Sequence, residues 1–236
     1  QDKIMLCMRN TIEWRIIDVA TLLTGAILVP VHDKITKTEL EDIHCKIKPK
    51  VFFSERSLEE YHAHQIDVTK PDPLKSFKGK YTKVNIKKDD IATICFTSGS
   101  TGKTKGAIIT HENLSFVVKN APKMFKPASK ILSYLPLSHM FERTCGFYTP
   151  LYLDMNISIC SNIRELREHM MMFRPDAILA VPLVLDKFNQ QLLASRTYRA
   201  LKRCHLTAVI KPIIRKRFGG NLKTIICGGA ALDSHL

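Results

Sequence analysis

Two periods of apolar residues alternate along this chain. Short apolar runs, typical of buried strands, occur at 26–31, 51–53, 91–96, 107–110, 131–135, 155–160, 177–180 and 224–227. Longer segments with apolar residues at helical spacing lie between them, at 12–24, 38–48, 111–120, 163–173 and from Pro182 onward. Because strand and helix alternate through short turns, the pattern predicts an α/β fold with a largely parallel sheet.

Local residues mark where several of these elements begin or end. Thr38, followed three residues later by Glu41, has the pattern of a capping box, and Gly25 ends the first helix. Pro182 suits the first turn of a helix. Residues 67–89 are rich in Lys, Asp and Pro and show no period, which predicts an irregular surface connection.

The loop at 97–106 lies between two predicted strands and carries no apolar side chain. Glycine lets a backbone approach an anion, hydroxyls donate hydrogen bonds and lysine supplies charge, so this loop suits a polyphosphate. The P-loop pattern fits it only in part. Gly102-Lys103-Thr104 matches the second half of that pattern, but Thr97 stands where the first glycine belongs, and a strand rather than a helix follows.

Charge narrows the class of protein. The 236 residues carry a formal net charge of +14. The lysines are scattered without interleaved aromatic residues, which argues against nucleic acid as the partner. Part of the charge clusters in residues 196–217, beside apolar residues at helical spacing. A solvated amphipathic helix pair broken at Pro212 is the favoured interpretation; contact with an anionic membrane surface or with acyl-CoA phosphates is the alternative.

Cysteine spacing and hydropathy narrow the class of protein further. Seven cysteines are widely spaced without a Cys-x-x-Cys pair, and several lie in apolar runs. This favours free thiols in a reducing compartment over a disulfide scaffold or a zinc site. The longest apolar run, 177–185, is far shorter than the roughly 20 residues that span a bilayer. The chain starts at Gln1 and becomes apolar almost at once, and it ends at Leu236 without an obvious tail. We therefore expect it to be a piece of a longer protein.

Several stretches carry a resemblance to a known family. Residues 97–106 are similar to the phosphate-binding signature of the adenylate-forming superfamily, which includes acyl-CoA synthetases, with Thr104 in place of the proline of that signature. Residues 135–143, Leu-Pro-Leu-Ser-His-Met-Phe-Glu-Arg, resemble a stretch of long-chain fatty acyl-CoA synthetases. Residues 21–31, 175–188 and 219–232 also resemble segments of that family, so the resemblance covers nearly the whole chain.

The resemblance implies a fold and a reaction. Residues 1–236 would form part of the N-terminal large domain of an AMP-binding enzyme, without its distal part and its C-terminal lid domain. The reaction would join a fatty acid to ATP as an acyl-adenylate, from which the thiol of coenzyme A displaces AMP. ATP, Mg²⁺ and coenzyme A would be required, with the Mg²⁺-binding glutamate and the lid-domain lysine in sequence that follows this chain. The chain alone is therefore expected to be inactive and to hold no metal ligand.

The resemblance also implies roles for individual residues. His139 would be the catalytic residue that orients the acyl carboxylate or gates the thiol. To it we add a candidate wall of the acyl tunnel, formed by the apolar side chains of Val181, Leu183, Val184 and Phe188. ATP and AMP would be bound by Thr97, Ser98, Gly99, Ser100, Thr101, Gly102, Lys103, Lys105, Gly106, Gly228, Gly229, Ala230 and Ala231.

Three functions stay open from the sequence. A long-chain fatty acid–CoA ligase is favoured by Phe141-Glu142-Arg143. The second is another adenylating ligase, such as a fatty acyl-AMP or aryl-CoA ligase, and the third is a truncated, non-catalytic module that binds a nucleotide or a lipid. The expected location is the cytoplasm or, through peripheral membrane contact, the cytosolic face of a membrane.

Overall fold

The computed structural model describes residues 1–55, 64–67, 79–98, 104–195, 212–213 and 215–231, together with Arg199 and Arg203. The chain divides into two compact units. Unit 1 comprises Gln1–Val117 and Pro136–Met140, and unit 2 comprises Val118–Leu135 and Phe141–Leu236.

Unit 1 contains a six-stranded sheet in the order β4-β3-β1-β2-β5-β6. Its strands are β1 Lys3–Cys7, β2 Ile27–Val31, β3 Val51–Ser54, β4 His64–Asp67, β5 Ile91–Ser98 and β6 Thr104–Thr110. Neighbouring strands are parallel except β5 and β6, which are antiparallel. The helices are α1 Ile12–Leu23, α2 Lys37–Ile47 and α3 His111–Asn120, the last of which leads into unit 2. The predicted alternation of strands and helices is confirmed, whereas β1 and β4 are additions to it.

Helix α2 buries one face against this sheet. Leu40, Ile43 and Ile47 repeat at helical spacing and join Val29 and Phe52 in one apolar cluster. The predicted capping box at residues 38 and 41 was wrong by two residues. The helix is capped by Thr36, whose side chain accepts from the backbone N–H of Glu39 while the Glu39 carboxylate accepts from the N–H of Thr36. Both threonines have a glutamate three residues later, so spacing alone does not choose between them.

Strands β2 and β5 separate towards their carboxyl ends. The two strands pair at Leu28 and Thr93, where the Thr93 hydroxyl donates to the Leu28 carbonyl at 2.7 Å. Two residues after Leu28, Pro30 has no N–H with which to continue the ladder. Since ligands bind outside the carboxyl ends of parallel strands, this divergence opens the place where a site is expected.

Unit 2 contains a four-stranded parallel sheet in the order β10-β9-β7-β8. Its strands are β7 Lys130–Ser133, β8 Asn156–Ile159, β9 Ala177–Ala180 and β10 Thr224–Cys227. Among the described residues, its helices include α4 Thr149–Tyr152, α5 Leu166–Phe173 and α6 Pro182–Ala194, with 3₁₀ turns at Ala121–Phe125 and Ile163–Glu165. The buried Asp176 joins two strands, because its carboxylate accepts from the N–H of Lys130 at 2.7 Å and its carbonyl accepts from Thr224.

A π-helix, Glu142–Tyr148, runs through the interior of unit 2, and every residue in it is buried. Its charged residues have partners there: the Ser133 hydroxyl donates to Glu142, and Nε of Arg143 donates to the Tyr148 hydroxyl at 2.9 Å. A Cβ at Gly146 would lie 2.6 Å from the Glu142 carboxyl group, so only glycine leaves room for it.

The cysteines within the described residues are free thiols, as predicted. Burial raises the pKa of the Cys145 and Cys160 thiols, so both are protonated and unreactive at neutral pH. Among the residues described here, no helix combines the length and the apolar character that crossing a bilayer needs. The predicted amphipathic helix pair at 196–217 falls largely outside the described residues.

Candidate functional site

A cavity of about 180 Å³ opens in unit 1 where β2 and β5 diverge. Strand β2 and the turn after it supply one wall, β5 and β6 a second, α2 a third and the segment Pro136–Met140 a fourth. Its polar lining residues are His32, Lys34, Glu39, Thr97, Thr104, Ser138 and His139. Pro30, Val31, Ile35, Ile43 and Phe96 form its apolar surface. Hydroxyls, a lysine and two imidazoles thus meet over an apolar floor, which suits a polar or anionic reactant.

Two residues of the predicted phosphate loop, Thr97 and Thr104, line this cavity. Thr97 lies near the end of β5 and lines the cavity. Ser98 ends the same strand, while Lys105 lies in β6 and is exposed. The loop residues Gly99, Ser100, Thr101, Gly102 and Lys103 lie outside the described residues, so their role stays a prediction.

Gly106 has a packing reason to be glycine. It pairs with Phe96 across the β5–β6 ladder, and a Cβ there would lie 2.8 Å from Cγ2 of Ile94 and 3.3 Å from Cζ of Phe96. A side chain at this position would displace Ile94 and press on Phe96, which lines the cavity.

Thr104, which replaces a proline of the family signature, connects the loop to α2. Its hydroxyl donates to the Asp42 carboxylate at 2.6 Å. Nζ of Lys46 donates to the carbonyl of Thr104 at 3.1 Å and to the same Asp42 oxygen at 2.6 Å. Asp42 and Lys46 therefore fix Thr104, where proline would restrict the backbone φ angle without making either contact.

His139 lies at the cavity within a tight turn. The backbone N–H of His139 donates to the Pro136 carbonyl at 3.1 Å. Its side chain keeps an exposed face. Partial burial lowers the pKa of His139, and the neighbouring His32 lowers it further. The imidazole is therefore neutral at pH 7 and can accept a proton. The adjoining Ser138 hydroxyl oxygen is buried, and no hydrogen-bond partner for it is found among the residues described.

His32 was missed in the sequence. Its ring centroid lies 6.0 Å from that of His139, with 59° between the ring planes. The available signal was its position directly after β2, since side chains at the carboxyl ends of parallel strands converge on sites.

The predicted adenine-binding residues belong to unit 2 and follow β10. The N–H of Gly228 donates to the Ala180 carbonyl at 3.1 Å, and a Cβ on Gly228 would lie 2.9 Å from the Phe141 ring. Gly229 has a φ of +88°, and the position that its Cβ would occupy faces Val181. Ala230 and Ala231 are exposed. The segment therefore exposes small residues, and adenine binding by it stays a prediction.

The four candidate acyl-wall residues do not share one face. Val184 and Phe188 pack against the apolar core of unit 2, and the Phe188 ring lies 4.9 Å from that of Phe218. Val181 precedes α6 and also contacts this core, whereas Leu183 is 63% exposed. A common tunnel wall would need a different packing of α6, and this role too stays a prediction.

Within the described part of the chain, no three His, Cys, Asp or Glu side chains are grouped to hold a metal ion. The carboxylates near the cavity already have partners, because Glu39 caps α2 and Asp42 binds Lys46 and Thr104. These residues do not fit a Mg²⁺ site, and no step of the chemistry below is assigned to one.

The comparisons with known proteins agree on one family. A sequence profile described as AMP-binding enzyme matches residues 1–236. Probable acyl-activating enzyme 16, chloroplastic, of Arabidopsis thaliana is 28% identical over 228 residues, covering 78% of this chain and 31% of that protein. Long-chain-fatty-acid–CoA ligase 4 of Saccharomyces cerevisiae is 30% identical over 175 residues, covering 62% of this chain and 25% of that protein. The chain thus spans about a third or less of the length of these relatives.

Solved structures share the fold. ATP-bound MatB from Rhodopseudomonas palustris has a TM-score of 0.74 at 20% identity, covering 97% of this chain and 45% of that one. AMP-bound o-succinylbenzoate coenzyme A synthetase (MenE) from Bacillus subtilis has a TM-score of 0.71 at 19% identity, covering 97% and 55%. A fatty acyl-adenylate ligase from L. pneumophila has a TM-score of 0.75 at 17% identity, covering 99% and 41%. Because the profile matches the whole chain, the chain belongs to the AMP-binding enzyme family.

Proposed function

We propose that the complete protein is an AMP-forming long-chain fatty acid–CoA ligase. Its substrates would be ATP, a long-chain fatty acid and coenzyme A, with Mg²⁺ as the metal. The observation that carries the proposal is the cavity of unit 1, where Thr97 from the phosphate-loop strand and His139 from the Leu-Pro-Leu-Ser-His segment line the same space. The long-chain ligases among the relatives support the acid that we propose.

The chemistry asks these residues for positioning and charge compensation rather than for a covalent step. Thr97 and Ser98, with the loop that follows them, would hold the β- and γ-phosphates of ATP, and Lys105 would add positive charge. Gly228–Ala231 would lie against the adenine ring, because a bare backbone leaves room for a flat base.

His139 has the chemistry that the second half-reaction needs. Because burial and His32 lower its pKa, the ring is neutral near pH 7. A neutral imidazole can hydrogen-bond the acyl carboxylate and can accept the proton of the attacking thiol, whereas an imidazolium cannot accept one. We therefore assign the pH-sensitive step of the reaction to His139.

The test uses the full-length protein. Pyrophosphate release is measured with ATP, coenzyme A and a panel of saturated fatty acids from 8 to about 20 carbons, beside benzoate and succinate. We expect turnover with the long acids and a loss on the order of a hundredfold in kcat/KM for His139→Gln. His169→Gln is the matched control, since His169 lies on α5 in unit 2, with its Nε2 3.9 Å from the Glu165 carboxylate. Equal activity of the two variants would remove His139 from the mechanism.

Another adenylating ligase is the second candidate, favoured by the structural likeness to MenE and to the L. pneumophila fatty acyl-adenylate ligase. Identifying the products separates the two. An acyl-CoA made only when coenzyme A is present supports the first proposal. An adenylate that persists despite coenzyme A, or turnover confined to an aromatic acid, supports the second, and ATP binding without turnover on any acid leaves a non-catalytic module.

We further propose that the protein acts in the cytoplasm or at the cytosolic face of a membrane. The net charge of +14 supports attraction to an anionic lipid surface. Cell fractionation with a high-salt wash tests this proposal. Release of the protein from the membrane pellet by salt is expected, while recovery inside a sealed organelle would contradict it.

A further inference from the structure

Beside His139 lies a second imidazole with no assigned role. We propose that His32 is a positioning residue for His139, which holds the ring of His139 at the cavity wall and disfavours a second positive charge beside it. The consequence for catalysis rests on the function proposed above. The pairing of the two rings can be tested in this chain without any activity.

The backbone of His32 is fixed from two directions. The Cys7 thiol, at the end of β1, donates to the His32 carbonyl at 3.6 Å. The backbone N–H of Ile35 donates to the same carbonyl at 3.0 Å. Because Cys7 is buried and belongs to a central strand, the turn after β2 cannot shift without breaking a contact with the sheet.

The ring of His32 is fixed as well, and in a way that depends on its proton. Its Nδ1 accepts from the backbone N–H of Lys34 at 3.0 Å, which requires an unprotonated nitrogen. The Asp33 carboxylate lies 3.1 Å from the same Nδ1 and can accept from it once it is protonated. One nitrogen therefore has a partner in each state, and the ring stays beside His139 in both.

The two rings are close enough to interact electrostatically when they are protonated. Their centroids are 6.0 Å apart, and both line the cavity. When one imidazole is charged, a charge on the other is disfavoured; at this distance, in solvent-like surroundings, the effect is about half a pH unit. The neighbouring charged groups are Asp33, Lys34 and Glu39, with the Asp42–Lys46 pair behind Thr104. Glu39 and Asp42 are engaged by Thr36 and by Lys46, and among the charged neighbours it is His32 that lowers the pKa of His139.

Two substitutions separate the role of the His32 hydrogen-bond acceptor from the role of its titrating ring. His32→Asn keeps an oxygen acceptor near the place of Nδ1 for the Lys34 N–H but removes the titrating ring. His32→Phe keeps a ring beside His139 but removes both the acceptor and the proton. The Cε1–H resonances of the histidines are followed by NMR from pH 4.5 to 9 in the wild type and both variants, with His139→Gln used to assign the resonance of His139.

In His32→Asn we expect the titration midpoint of His139 to rise by about half a pH unit. The midpoint of His111, a half-buried histidine of the same unit, serves as the internal control and should not move. An unchanged His139 midpoint in His32→Asn overturns the proposal. His32→Phe should raise the midpoint and also broaden the His139 resonance, because the turn that carries the ring has lost a hydrogen bond.

The wild type alone provides a second test if the variants do not fold. Because the coupling is only about half a pH unit, the His139 resonance should titrate in one step that is broader than the curve of an isolated imidazole, whereas the His111 curve should not be broadened. A His139 curve as steep as that of His111 overturns the pairing. In the full-length ligase, His32→Asn should move the acid limb of kcat/KM to higher pH with little change in the KM for ATP. An enzyme inactive on every acid would refute the proposed function while leaving the NMR result intact.

Discussion

Among the glycines that the structure describes, Gly219 is the one whose replacement by alanine should destabilise unit 2 the most. Gly219 has a φ of +81°, and its missing Cβ would lie 2.3 Å from the carbonyl oxygen of Met170 and 3.2 Å from Cα of Arg174. That carbonyl accepts the hydrogen bond that ends α5, from the N–H of Arg174 at 3.0 Å. The clash is therefore with backbone that a side-chain rotation cannot move.

The magnitude follows from two costs. A left-handed backbone costs an L-residue about 1–2 kcal/mol. Shifting a capped helix end to relieve the overlap adds roughly 1–3 kcal/mol of backbone strain. The turn also places Nε of Arg174 on the Gly219 carbonyl at 2.9 Å, a contact that the shift would lengthen. We expect the free energy of unfolding to fall by about 2–5 kcal/mol.

Urea unfolding followed by circular dichroism, together with amide hydrogen exchange of β9 and β10, measures this loss. Gly79→Ala is the matched control, because a Cβ there meets no atom within 4 Å. If Gly219→Ala unfolds within about 0.5 kcal/mol of Gly79→Ala, the reasoning about this turn is refuted.

Three further outcomes are expected. Thr104→Val removes the half-exposed hydrogen bond to Asp42 and should raise the KM for ATP of the full-length enzyme about fivefold, for about 1 kcal/mol lost, with kcat changed less; an unchanged KM would contradict the role given to this contact. Gly106→Ala should lower the free energy of unfolding of unit 1 by about 1–3 kcal/mol, measured by the fluorescence of Trp14, and wild-type stability would show that Ile94 and Phe96 can move aside without cost. Burial lowers the pKa of His111 below its ordinary value of 6.5, so the unfolded chain binds more protons. Stability should then fall as the pH drops below about 6.5 and stay level above it, and His111→Gln should flatten that slope in urea titrations at pH 5.5 and 7.5.

The regular elements could be predicted where burial gives a clear apolar period. The helix at 111–120 and the strands at 177–180 and 224–227 were predicted with the bounds that the structure has. The π-helix could not be predicted, because its interior holds Glu142 and Arg143. Their burial depends on Ser133, on Tyr148 and on the absent side chain of Gly146, and a periodicity argument does not weigh such partners.

The candidate site was predicted in its parts but not in its assembly. The polar loop and His139 were recognised from sequence. That they line one cavity depends on where β2 and β5 stop pairing, which is a property of register rather than of residue type. His32 escaped notice because a single histidine after a strand has no local signature. Its meaning comes from the ring that lies 6.0 Å away and 107 positions later in the chain.

The order in which the chain visits its two units limits how the protein can be divided. The segment Pro136–Met140 is an excursion of five residues, since the chain leaves unit 2, contributes to unit 1 and returns. A gene fragment that stops at Val117 would encode all six strands of the first sheet and still lack Ser138 and His139. No single cut of the chain can yield a first unit that contains its own histidine pair and nothing of the second.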